Sequence, residues 1–70
     1  MTGKQFAKWL ANEMEICGIS RDTLAKKSGL GISTIRRCVL GVGTPTLYVV
    51  EKILTVFGKE IWIVDKEVNE

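Results

Sequence analysis

Two adjacent arginines, Arg36 and Arg37, follow the hydroxyl residues Ser33 and Thr34 within five positions. A third arginine, Arg21, and the pair Lys26 and Lys27 precede them. Guanidinium and hydroxyl groups donate hydrogen bonds, and a guanidinium keeps its charge at any ordinary pH. That is chemistry for holding an anion or an acceptor-rich edge. The groups that would break bonds are sparse. The chain has no histidine, so histidine acid–base and triad chemistry is excluded. Cys17 and Cys38 are its two cysteines, whereas a structural zinc site of the usual kind takes about four Cys and His ligands. There is no carboxylate pair in a recognisable pocket and no phosphate loop, so the expectation is a non-enzyme that needs no cofactor or metal.

The elements that must position these donors follow from apolar spacing. Phe6, Leu10, Met14 and Cys17 recur at four, four and three residues, one stripe of a first helix from about Lys4 to Cys17 that Gly18 stops. Ser20 is a good N-cap for a second helix, with Asp22 at its positive pole and Lys26 and Lys27 at its negative pole. Leu24 and Ala25 face inward, and Ser28 and Gly29 close this helix. A third runs from near Gly31 and Ile32 to about Leu40. Ile35, Cys38 and Val39 are its buried face, leaving Ser33, Arg36 and Arg37 free. Gly41 and Gly43 break it. Thr44 and Pro45 read as the cap and first residue of a fourth helix, with Leu47, Val50, Ile53, Leu54 and Phe57 as its apolar face and Gly58 as its end. Ile61, Trp62, Ile63 and Val64 then change period, a β-branched and aromatic run that reads as a strand.

Seventy residues make one domain, and so small a core is often supplemented by dimerisation. The net charge is only +2, but it is unevenly placed. Between Arg21 and Gly41 five cations face one anion, giving +4, while from Glu60 to Glu70 four anions face one lysine, giving −3. The middle of the chain could hold a polyanion, although a run of charge can equally be a solvated face. Both cysteines fall at apolar positions and read as reduced, inert core residues of a cytosolic protein. The first residues lack the apolar run of a signal peptide, and no stretch is long enough to span a membrane.

Two short helices joined by a tight glycine turn, the second of them amphipathic and basic, form a helix-turn-helix over residues 20–40. Ala25 is small where the next helix must cross close above it. Gly29 supplies positive φ. Leu24, Leu30, Ile35 and Cys38 set the angle between the helices. Here the chain resembles the Xre/Cro-like family of phage repressors and bacterial regulators. The match runs from Gly18 through Gly58, with Leu24 and Ala25, Gly29 and Leu30, Ser33 to Ile35, Gly41, and Thr44 to Leu47 at the family's spacing. The resemblance implies a mostly α, four-helix, lambda-repressor-like domain over residues 1–58 whose third helix enters the DNA major groove.

By position, the resemblance places Ile32, Ser33 and Thr34 against base edges and Arg37 on a base, guanine being its natural bidentate target. Arg36 becomes a phosphate contact that could exchange roles with Arg37. Arg21 stands where the family usually has a phosphate-binding glutamine, and the backbone N–H groups of Val42, Gly43 and Thr44 would grip a second phosphate. Two positions depart from the family. Ile32 replaces a polar, often adenine-reading residue and can offer only apolar contact, best with a thymine methyl, or pack inward. Met14 and Val39 replace an arginine–glutamate pair and are expected to touch, a swap that is often neutral or stabilising.

The C-terminal segment also departs. Many members continue into a fifth helix, whereas residues 59–67 here read as a strand followed by a short tail, 68–70. In a strand Ile61 and Ile63 share one side and Trp62 and Val64 the other. Two apolar faces on a lone edge would invite aggregation, so this segment is expected to pair with its symmetry mate, as in some Cro proteins and antitoxins of the family. Trp62 then serves a dimer or the core, Trp9 packs half-buried, and Tyr48 is either a surface residue or a phosphate donor. The function implied is a sequence-specific regulator, a repressor binding a palindromic operator on double-stranded DNA as a homodimer. The alternative is an antitoxin that binds a toxin protein and autoregulates its operon. Either would be bacterial or phage-encoded, cytoplasmic and nucleoid-associated.

Overall fold

Capping chemistry sets where each helix begins. In the computed structural model, which describes residues 2–61, four helices follow one another: α1 (Gly3–Cys17), α2 (Arg21–Ser28), α3 (Ile32–Leu40) and α4 (Leu47–Val56). At α1 the Thr2 hydroxyl accepts from the Gln5 N–H at 3.1 Å while the Gln5 side chain accepts from the Thr2 N–H at 2.7 Å, a complete capping box. The Ser20 hydroxyl accepts from the Thr23 N–H at 3.2 Å at the start of α2. Gly18, Gly29 and Gly41 end the first three helices in the left-handed region, where a side chain would add strain.

The fourth helix begins two residues later than its composition suggests. Thr46, not Thr44, is its cap and accepts from the Val49 N–H at 3.3 Å, and Leu47, not Pro45, is its first residue. Both threonines offer the same hydroxyl. The later start leaves residues 42–46 outside any helix, so that they can pass the beginning of α1, where Gly43 meets Gly3. It also leaves Leu47 63% exposed, outside the apolar face expected of it, while Val50 and Ile53 are buried.

The core is small and shared by all four helices. Phe6 and Leu10 from α1, Leu24 from α2, Ile35 and Cys38 from α3, and Val50 and Ile53 from α4 form one buried cluster. α3 packs on both α1 and α2, and α2 packs on α4. Trp9 extends the cluster as expected, half-buried between Phe6, stacked at 5.7 Å, and Phe57, edge-on at 5.8 Å. Met14 and Val39 both lie partly buried against this cluster. Cys17 does not. It is exposed, as are Glu15, Ile16 and the cap residue Gly18, because the end of α1 beyond Met14 extends past the cover of the neighbouring helices. Only Cys38 is the core thiol that its position suggested. No buried side-chain polar atom among the described residues lacks a partner.

Ile61 is the last described residue and lies in neither helix nor strand. The expected strand and its pairing fall largely on Trp62, Ile63 and Val64, which lie outside the described residues. Among the described residues no helix is long and apolar enough to cross a membrane.

Candidate nucleic-acid interface

The third helix divides cleanly by face. Ile35 and Cys38 point into the core at 0% and 7% exposure. Ser33, Arg36, Arg37 and Leu40, at helical spacing on the other side, are all exposed. Because α1 and α2 both brace the inner side, the outer side is presented as a fixed edge. Burial of Ile35 is what forces the two arginines outward, since residues one and two positions away on a helix cannot share its face. Ile32, the first residue of α3, is 37% exposed, so its apolar side chain is available at the tip of the helix. Thr34 is half-buried on the flank.

Two further groups of donors lie on α2 and on the loop after α3. Arg21 is the exposed first residue of α2, directly after the Ser20 cap. Thr34, Arg37, Val42, Gly43 and Thr44 line a recess of about 200 Å³, which Gly3 lines with them. The guanidinium of Arg37 reaches to 3.8 Å from the position a Gly43 side chain would take. The loop is not equally available along its length. The Val42 N–H donates to the Arg37 carbonyl at 3.0 Å and so closes the end of α3. The N–H groups of Gly43 and Thr44 are engaged in no hydrogen bond among the described residues. Of the three N–H groups that the resemblance implies for a phosphate, that of Val42 is thus engaged within the chain, while those of Gly43 and Thr44 are, among the described residues, not engaged.

A helix-turn-helix family model matches residues 10–61, more than two thirds of the chain. The chain belongs to the Xre/Cro-like helix-turn-helix family. No curated protein and no solved structure gives a significant match. The family is one of DNA-binding regulators and not typically of enzymes. In this helix-turn-helix protein α2 and α3 are the two helices of the motif, joined through Gly29 at φ 75°. The turn is tightened by the buried Ser28, whose hydroxyl accepts from the Leu30 N–H at 3.3 Å and donates to the Ala25 carbonyl. That double use of one hydroxyl was not anticipated. The only trace of it in the sequence is a small polar residue just before the turn glycine.

The remaining reactive groups are quiet. Burial pushes the Cys38 thiol up in pKa against the opposing pull of the Arg37 charge, which keeps it a protonated packing group. Among the described residues no three His, Cys, Asp or Glu side chains are grouped to hold a metal. Tyr48 is 63% exposed on α4 with the Lys52 ammonium 5.5 Å from its ring centre, a surface cation–π pair.

Proposed function

We propose that the chain is a sequence-specific transcriptional repressor that binds double-stranded DNA with the outer face of α3. One observation carries the reading: Ser33, Arg36 and Arg37 stand exposed on a helix whose opposite face is locked into the core. A helix held this way fits the major groove, where paired donors distinguish guanine and apolar groups meet the thymine methyl. Ile32, Ser33, Thr34 and Arg37 take the base-edge roles. Arg36, Arg21 and the open N–H groups of Gly43 and Thr44 take phosphates, with Val42 shaping the loop. Positive charge along this edge draws the protein to DNA and makes binding salt-dependent. Affinity should fall steeply as salt is raised, and sites selected from random duplexes should converge on one palindrome with half-sites roughly 34 Å apart. Indifference to both salt and sequence would remove DNA binding as the function.

The operator is bound by a homodimer joined through Ile61, Trp62, Ile63 and Val64. Support comes from an apolar groove of about 420 Å³ that Ile61 borders together with Phe6, Trp9, Leu47 and Leu54. The chain thus leaves the described domain beside unsatisfied apolar surface, and a second apolar run follows at once. Ile63→Lys should give a monomer by sedimentation and lose affinity for the palindrome while keeping weak half-site binding. An unchanged dimer would put the interface elsewhere.

A further inference from the structure

We propose that Gly3, at the beginning of α1, is a positioning residue for the loop that holds a DNA phosphate. The proposal rests on the DNA-binding reading above. Gly3 is buried and is the first residue of α1. A side chain there would run into the carbonyl oxygen of Gly43 and lie 3.0 Å from the carbon that bears it, with the Thr44 Cα at 3.5 Å. Both neighbours are backbone, so neither can swing away as a side-chain tip could.

The backbone of Gly3 does not itself call for glycine. Its φ is not among the positive values of the chain, which occur at Gly18, Gly29, Gly41, Gly43 and Gly58. Apart from proline, glycine is the weakest helix former. The preference of α1 alone therefore favours a side chain at this position, and what forbids one is the loop lying against it. That loop carries the two N–H groups left open, on Gly43 and Thr44, and borders the recess into which Arg37 reaches. The start of α1 is held in its own right by the Thr2 and Gln5 capping box. It is thus a firm stop against which residues 42–44 rest, and their distance from α3 is set by the absence of one methyl group.

Gly3→Ala tests this in two readouts. In the two-dimensional amide spectrum of the free protein, the Gly43 and Thr44 signals should move while those of the α2 and α3 core stay in place. Affinity for duplex DNA should fall by roughly threefold to tenfold, the worth of about one phosphate hydrogen bond. The loss should be equal on the selected palindrome and on unrelated duplexes, because the contact carries no base information. Loop signals left at their original positions, or a displaced loop with undiminished affinity, would overturn the proposal. Thr2→Val is the milder companion. It loosens the capping box without placing an atom against the loop, and should move the same two signals with about a twofold loss; no movement would also overturn it. If the unaltered protein does not bind duplex DNA at all, the functional reading fails by itself, and the loop signals still report on whether Gly3 positions residues 42–44.

Discussion

Ile35→Ala is expected to lower the free energy of unfolding by about 2–5 kcal/mol, the cost of truncating a fully buried isoleucine. Ile35 is 0% exposed and belongs to the cluster that unites all four helices. Alanine is the better helix former, but by only about half a kcal/mol, which offsets little of the cavity. A domain of 70 residues has on the order of 4–10 kcal/mol of stability in all. The variant should therefore melt at least about 10 °C lower by far-ultraviolet circular dichroism, and at the upper end of the range it would be largely unfolded at 37 °C. The functional consequence follows from geometry. Ile35 is the wedge that turns Ser33, Arg36 and Arg37 outward, so DNA affinity should fall together with stability although Ile35 touches no DNA. Ile32→Ala gives the contrast. With Ile32 at the exposed tip of α3, stability should stay within about 1 kcal/mol, and only preference at a thymine should weaken. Equal melting losses from both variants would show that α3 is not oriented as described.

Arg37→Ala is expected to cost about 1–3 kcal/mol of binding free energy on the best operator and to relax preference at one base pair, the mark of a lost bidentate contact with guanine. Arg36→Ala should instead weaken every duplex alike and reduce the dependence of log affinity on log salt by about one unit. Both side chains are exposed, so neither change should alter the melting temperature by more than a few degrees, and stability cannot account for the difference. The structure adds a qualification to the role of Arg37. Its guanidinium lies near Gly43 and lines the recess beside residues 42–44, so in the free protein it rests beside the loop proposed to take a phosphate, and the proposed base contact requires it to extend away from that loop. Measuring both arginine variants against a panel of single-base operator substitutions separates the roles. Equal, sequence-blind losses from the two would mean that the reading surface is misplaced.

Most of the helical framework was legible because its signals are local. Ser20 and the glycines at 18, 29 and 41 act on neighbouring N–H and C=O groups, and each ends or begins a helix where its own chemistry requires. The division of α3 into a buried and an exposed face was equally plain, since the spacing of Ile35 and Cys38 against Ser33, Arg36 and Arg37 allows one rotation of the helix. The capping box was also available, in the Thr2 and Gln5 spacing ahead of the apolar stripe, yet it shows its importance only once the start of α1 is seen to bear on the loop.

Contacts between segments distant along the chain followed another logic. Thr44 and Thr46 are interchangeable as caps by type, and the choice of Thr46 is tied to the path of residues 42–46 past Gly3, some forty positions earlier in the chain. Cys17 looked apolar by periodicity, but burial depends on a partner helix being present at that height, and the last turn of α1 extends beyond its neighbours' cover. The Val42 N–H seemed as free as those of Gly43 and Thr44 until its bond to the Arg37 carbonyl appeared. Hydrogen-bonding type and apolar period, which act within a few residues, were enough to define α1, α2 and α3 and to separate the buried from the exposed face of α3. Which donors remain open, and how closely two backbones may approach, depend on packing between distant segments that no local pattern encodes.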